Sequence, residues 1–402
     1  MNVKVLPWRS VWAAILLLIA ALMTACGSDP ASPAVLPASP TARSIIRPTN
    51  RPANAPTASP TPTLPPVSPT PTPDTRIIKL DAPDVNPLTG EKVSDSGVLN
   101  RRPLAIKIGD SWEAGVRPQS GASYADWVVE HESEGGIPRW TAVFYTNTPA
   151  RVGGTRSCRI VDNEIPAIFK SLLACSGMSG GTREFYLRPS DINQEKRFFT
   201  PDFGDYTPMF YRSDSAPIPH NLMVVPAEIW KEADKRGSNT KPDLSGLTFA
   251  TEPLSPGRPT GQMSLKYGSE TETWKYDPEA ITCSSIKGCW LRWSAGVPHA
   301  DALNGQQLSA ANVIVAYVNH VEDKRYLEED YGAFKAFGLQ IQIWNEGPVR
   351  IFRDGQEFGG KWVRVNRDDM LTFVDPNGSP IPLKPGKSWV EVVNLGTPLE
   401  TK

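Results

Sequence analysis

The 402-residue chain lacks an excess of charge of either sign: 42 Lys and Arg stand against 43 Asp and Glu, for a net charge of −1. General nucleic-acid binding needs a basic face, and this chain offers no such footprint. Long apolar runs are scarce too. Only Val11 to Met23 approaches spanning length, which excludes a multispanning membrane protein. Histidine is confined to His131, His220, His299 and His320, and there is neither a CxxC spacing nor a paired-histidine motif, so no metal and no cofactor is expected. What the chain does have is 40 prolines together with 12 Trp, 13 Phe and 10 Tyr. That aromatic bulk suffices for a core in each of two domains.

Lys4 and Arg9 precede the apolar run, and Met23-Thr24-Ala25-Cys26 follows as a lipobox-like end. Residues 1–25 are thus expected to be a lipoprotein signal peptide, with Cys26 diacylated as the new N-terminus and the protein anchored on the extracytoplasmic side of the cell membrane. Fourteen of the prolines lie between Pro30 and Pro73 among Ser, Thr and Ala, a composition that cannot build a core. Residues 26–80 therefore read as a semi-extended stalk.

Beyond the stalk the pattern predicts an α+β protein: a mixed N-terminal domain over 81–254 and a mainly antiparallel β domain over 255–402. In the first, Pro103 to Ile108, Tyr124 to Glu130 and Trp140 to Tyr145 read as strands. Ile165, Ile168, Phe169 and Leu172 carry helical spacing behind Asp162 and Asn163, and Pro226 to Arg236 followed by Gly237 reads as a second helix. In the second domain strand-like runs alternate with turn-formers, among them Asn345-Glu346-Gly347, Asp354-Gly355 and Asn377-Gly378.

Four cysteines remain for an oxidising compartment, and Cys158–Cys175 and Cys283–Cys289 are the expected disulfides. Gly177-Met178-Ser179-Gly180-Gly181 fits GxSxG, with Asp205 and His220 following in hydrolase order. His299-Ala300-Asp301 offers a second His–carboxylate pair. Glu130, Glu132 and Glu134 recur at every second residue, which on a strand would form one acidic face. Arg117, Arg139, Arg156 and Arg159 are the candidate cations, suited by their planar forks to carboxylate ligands or to internal ion pairs.

Several uncommon words stand along the folded part: Asn86-Pro87-Leu88-Thr89-Gly90, Arg117-Pro118-Gln119-Ser120-Gly121, Glu134-Gly135-Gly136-Ile137-Pro138-Arg139, Gly154-Thr155-Arg156-Ser157-Cys158-Arg159, Pro298-His299-Ala300-Asp301, Asn312-Val313-Ile314-Val315 and Leu383-Lys384-Pro385-Gly386-Lys387-Ser388-Trp389-Val390. In these words, and in their order, the chain resembles the YerB-like family of bacterial lipoproteins, built from paired N- and C-terminal domains of unknown function (DUF3048 type). Cys158 stands where the family tends to have Ala, so the first disulfide is expected to be local to this chain. The resemblance implies a membrane-anchored extracytoplasmic protein and carries over no enzymatic activity. The expected function is a non-catalytic binding or scaffold role in the cell envelope, with a cell-wall or envelope protein as ligand and the arginines with Glu130 and Glu134 as contact surface. The alternative is a cell-wall hydrolase acting through Ser179 and His220, or through His299 and Asp301.

Overall fold

The computed structural model describes residue 78 and residues 82–111, 115–214, 216–330, 332 and 334–402. The expected signal peptide, Cys26 and all of the expected stalk but Ile78 lie outside the described residues.

The N-terminal half contributes β1 (Leu104–Gly109), β2 (Trp127–Ser133), β3 (Ile137–Phe144), β4 (Leu172–Ala174), β5 (Phe198–Phe199) and the helix α1 (Pro226–Arg236). The C-terminal half contributes β6 (Gln262–Tyr267), β7 (Glu270–Asp277), β8 (Cys289–Ser294), β9 (Asn312–Val318), β10 (His320–Asp330), β11 (Lys335–Ile341), β12 (Asn345–Arg353), β13 (Gln356–Arg364), β14 (Thr372–Val374) and β15 (Ser388–Asn394). The protein is α+β, and both disulfides, Cys158–Cys175 and Cys283–Cys289, are formed.

Among the described residues one sheet takes strands from both halves, in the order β14-β13-β12-β9-β15-β2-β3-β1-β4-β5. The joint is β15, which runs parallel to β9 on one side and to β2 on the other. A second, smaller sheet built on β6, β7 and β8 covers one face of this joint. Trp274, Trp290, Met263 and Leu265 from the small sheet enter the same core as Trp140, Val128, Val315 and Trp389 from the large one. The other face is covered by the 158–169 segment and by residues near Leu247 and Phe249. With both faces buried, β1 and β15 read as almost unbroken apolar runs, as such strands must.

Local chemistry accounts for the helix ends and turns. α1 has Pro226 in its first turn, Lys235 and Arg236 in its last, and Gly237 at φ 70° just beyond, so the ends are matched to the dipole and to the left-handed cap. Asp354 and Gly355, at φ 52° and 68°, make the two-residue turn joining β12 to β13. Elsewhere the expectations change. The helix expected over Ile165 to Leu172 is a single turn, Ile165–Ile168, because Leu172 already pairs with Leu104 in the sheet. Asn345-Glu346-Gly347 is the start of β12 rather than a turn. The strand-like run at Leu339 to Trp344 overlaps only the end of β11, and its hairpin partner β10 has no strand signal because Glu322 to Arg325 and Glu328 to Asp330 are charged and carry no period-two apolar pattern.

Because β15 is the partner of both β2 and β9, residues 82–254 made alone should leave β2 with an open edge in the middle of its core. The expected outcome is a fragment without a cooperative thermal transition; a sharp transition by circular dichroism would show that β15 is dispensable.

Candidate functional site

Between the two sheets, β8 inserts the guanidinium of Arg292, whose side chain is fully buried. Four equally buried carboxylates close on it: Glu272 at 2.8 Å, Glu130 at 3.1 Å, and Asp110 and Glu391 at 3.4 Å. They come from β7, β2, the end of β1 and β15, so both halves of the chain meet at one cation. Arg117 enters from the rim, bonding Asp110 at 2.5 Å and Glu270 at 2.7 Å. Five carboxylates thus share two guanidiniums. Full ionisation of such a group in a dry interior is prohibitive, and some of the acids must keep their protons. Glu130 and Glu391 lie directly opposite each other in the parallel β2–β15 ladder. Burial holds Glu130 well above the ordinary carboxylate range despite the pull of Arg292, and it also raises Glu391. Burial pushes Glu272 up to about 7. Indole donors finish the cage, Trp389 Nε1 to Glu130 at 3.0 Å and Trp274 Nε1 to Glu391 at 2.8 Å.

His299 and Asp301 sit beside this cage with separate tasks. Arg292 Nε donates to His299 Nδ1, so the ring proton is on Nε2 and is given to Gln119 Oε1 at 2.7 Å. Burial keeps this imidazole neutral, pushing its pKa down to about 3 against the pull of Asp110. Asp301 accepts from the backbone N–H groups of Gly121, Ser123 and Leu303. The pair binds the 117–123 loop to the second half.

The opposite face of the large sheet holds another buried knot. Lys107 Nζ lies 2.6 Å from His131 Nε2 and 2.9 Å from Asp162 Oδ1. His131 Nδ1 lies 2.7 Å from the Glu132 carbonyl and must donate to it, which fixes the neutral tautomer with Nε2 as acceptor. Burial pushes Lys107 down to about 8, and burial followed by Lys107 itself holds His131 well below its usual value.

The remaining candidates are distributed rather than gathered. Glu130 is on the Arg292 face. Glu134 has left the strand for a short 3₁₀ turn and meets Arg159 at 2.6 Å, so the expected three-glutamate face is not formed. Arg159 also binds Glu328 of β10 at 3.1 Å. Arg139 donates to the Pro138 carbonyl at 2.9 Å on the face of Thr141 and Lys107. Arg156 lies 3.5 Å from His220 Nδ1. Ser179 caps the turn at Gly180–Thr182 and donates to Glu328 at 2.6 Å, while Asp205 pairs with Arg236. The three residues of the GxSxG reading therefore have three different partners, Glu328, Arg156 and Arg236. Sequence reasoning named His131 only among the histidines and Asp162 only as a helix cap, and it missed Lys107, Asp110, Glu272, Arg292 and Glu391. The available signal was an ionisable residue inside an apolar run, as in Leu104-Ala105-Ile106-Lys107-Ile108 and Trp389-Val390-Glu391-Val392-Val393.

An open concavity lies elsewhere, a groove of about 600 Å³ along the outer edge of β13. Its lining includes Leu254, Pro256, Phe358, Gly359, Pro380 and Ile381. On that edge β13 pairs with Arg258–Pro259 at residues 356–357 and with β14 at 361–363, and no described strand pairs with Phe358 to Gly360 between them.

Two outcomes follow from the cage. Arg292→Met leaves buried carboxylates without their cation, and the loss should be about 3–5 kcal/mol of unfolding free energy by denaturant titration. Glu272 binds its proton more tightly folded than unfolded, since its pKa rises from 4.5 to about 7. Its contribution is complete below the unfolded value and is lost as pH rises through the folded one. The stability of the wild type relative to Glu272→Gln should thus be greatest near pH 4 and smaller near pH 8; an unchanged difference would mean that Glu272 is ionised throughout.

Comparison with known proteins places these observations in a family. Residues 88–239 match the N-terminal domain, and residues 263–390 the C-terminal domain, of the protein family of unknown function DUF3048. YerB of Bacillus subtilis (strain 168), named as a putative lipoprotein, is 27% identical over 311 residues, covering 76% of this chain and 85% of YerB. The crystal structure of Bacillus subtilis YerB superposes with a TM-score of 0.62 at 26% identity, covering 77% of this chain and 96% of that one. Together the two domain matches cover more than half of the chain and take in the 117–123 loop and Arg292 with Asp110, Glu130 and Glu272 of the cage, Glu391 lying one residue beyond the second match: the chain belongs to the DUF3048 family.

Proposed function

We propose that the protein is a membrane-anchored, extracytoplasmic binding or scaffold protein of the cell envelope, and that it holds an extended segment of an envelope partner in the groove beside β13. The anchor is the lipidated Cys26, and the stalk carries the folded part away from the bilayer. The observation behind the reading is the interrupted pairing of β13 at Phe358 to Gly360, next to an open apolar wall. A strand edge offers main-chain hydrogen bonds to any extended chain, and the adjoining pocket can select its side chains. The charged residues first suspected of making the contact favour this site by their own placement. Arg117 and Arg159 turn to internal carboxylates, and Glu130 is inside the cage. Such pairs hold the frame that carries the groove.

Gly359 allows a clean test. A Cβ added there meets open space, and the residue is not in the left-handed region. Gly359→Trp should fill the groove, leave the melting temperature unchanged and reduce in-cell crosslinking to envelope proteins several-fold. If capture is unaffected by Gly359→Trp but falls in Arg156→Lys, the contact is at the arginines and the groove reading is wrong.

A further inference from the structure

The geometry points to a covalent modification site inside the N-terminal half: an amide bond between Lys107 Nζ and Asp162 Cγ, formed by the protein on itself with loss of one water. This cross-link is independent of what the groove binds.

The two groups are a nucleophile and an acyl carbon already in contact. Lys107 Nζ is 2.9 Å from Asp162 Oδ1, and both side chains are fully shielded from solvent. Around them stand the other parts that such a condensation needs. His131 Nε2, fixed as an acceptor by the bond from Nδ1–H to the Glu132 carbonyl, is 2.6 Å from the amine. The Thr141 hydroxyl reaches Asp162 Oδ1 at 3.2 Å, and the backbone N–H of Arg159 donates to Oδ2 at 2.7 Å. One carboxyl oxygen is thereby held by a backbone donor suited to an oxyanion, while the other faces the amine.

The bonds balance without any co-reactant. The ammonium gives one proton to Oδ1, leaving a neutral amine beside a carboxylic acid. The Nζ lone pair then attacks Cγ, and Oδ2 takes up the negative charge against the Arg159 N–H. A second Nζ proton passes to His131 Nε2. As the Cγ–Oδ2 double bond re-forms, the Cγ–Oδ1 bond breaks, and Oδ1 leaves as water after recovering that proton from His131. The third proton remains on the amide nitrogen.

Two physical terms favour the product. A buried ion pair retains much of the desolvation penalty of its ions, and here Arg159 and Arg139 add repulsion to the lysine. Condensation removes both charges and leaves a neutral amide. Reactants held in one orientation also reach effective concentrations on the order of 10⁵–10⁸ M, which opposes the tendency of water to hydrolyse the bond. The burial that lowers Lys107 to about 8 further raises the share of free amine.

The test is a tryptic digest of the full-length protein, extracted from membranes, reduced and denatured, and read by mass spectrometry. The expected result is no cleavage after Lys107 and a branched peptide that joins the Lys107 segment to residues 160–170, lighter by one water than the two together. Lys107→Met should release the 160–170 peptide at its unmodified mass. Recovery from the wild type of a peptide ending in Lys107 beside an unmodified 160–170 peptide would overturn the proposal, and so would a water loss that maps to any other pair of residues.

Discussion

A guanidinium without solvent has to be met by acceptors wherever the chain can supply them, and Arg292 imposes that condition on the whole architecture. A cation left unpaired in a dry interior would cost several kcal/mol, comparable to the entire stability of a domain. Its partners come from the end of β1, from β2, from β7 and from β15. Satisfying it thus demands that the small sheet sit on the large one and that β15 lie beside β2. The ion cage is poor as a source of net stability, since burying it is itself expensive. Its effect is on specificity, because an alternative packing of the two halves would strand the charge.

The words that mark the family are explained by the same demand. Asn86 of the first word donates to Asp126, the Leu88 carbonyl receives the Trp127 indole, and the Thr89 carbonyl receives Gly386 of the last word. Gln119 reads His299, and Gly121 and Ser123 are held by Asp301. Each is a polar contact between segments distant in sequence, and each requires a particular donor or acceptor at a particular place. Rare words arranged in this manner report joints. They need not touch a ligand, which is why the resemblance carries architecture further than it carries function.

What could be read from the sequence divides along the same line. Elements with a local cause were legible: α1 has its proline and glycine, and the β12–β13 turn has Asp354-Gly355. Both cysteine pairs were legible because each brackets a short segment. Elements decided by a remote partner were not. Leu172 leaves helical spacing for the sheet because β1 offers a parallel edge, and β10 is a charged strand kept in place by Glu328 against Arg159 and Ser179. For the candidate residues, type was readable but direction was not. Arg117 and Arg159 look alike as cations, yet they serve knots on opposite faces of one sheet.

That division between faces solves a problem which hydrophobicity alone leaves open. Trp127, Val128 and Val129 are apolar in succession, so β2 has an apolar side chain for each face and a slip by one residue would cost little there. Register must be set by something else. Glu130 and His131 supply it: one faces Arg292, the next faces Lys107. A one-residue slip would put the imidazole into the carboxylate cage and the carboxylate beside the Lys107–Asp162 pair, leaving both knots with unmatched partners. β15 obeys the same rule, with Glu391 committed to the cage between Val390 and Val392 on the other face. Two knots on opposite faces therefore act as one registration device for the strands that join the halves, and the sheet can be apolar on both sides without becoming ambiguous.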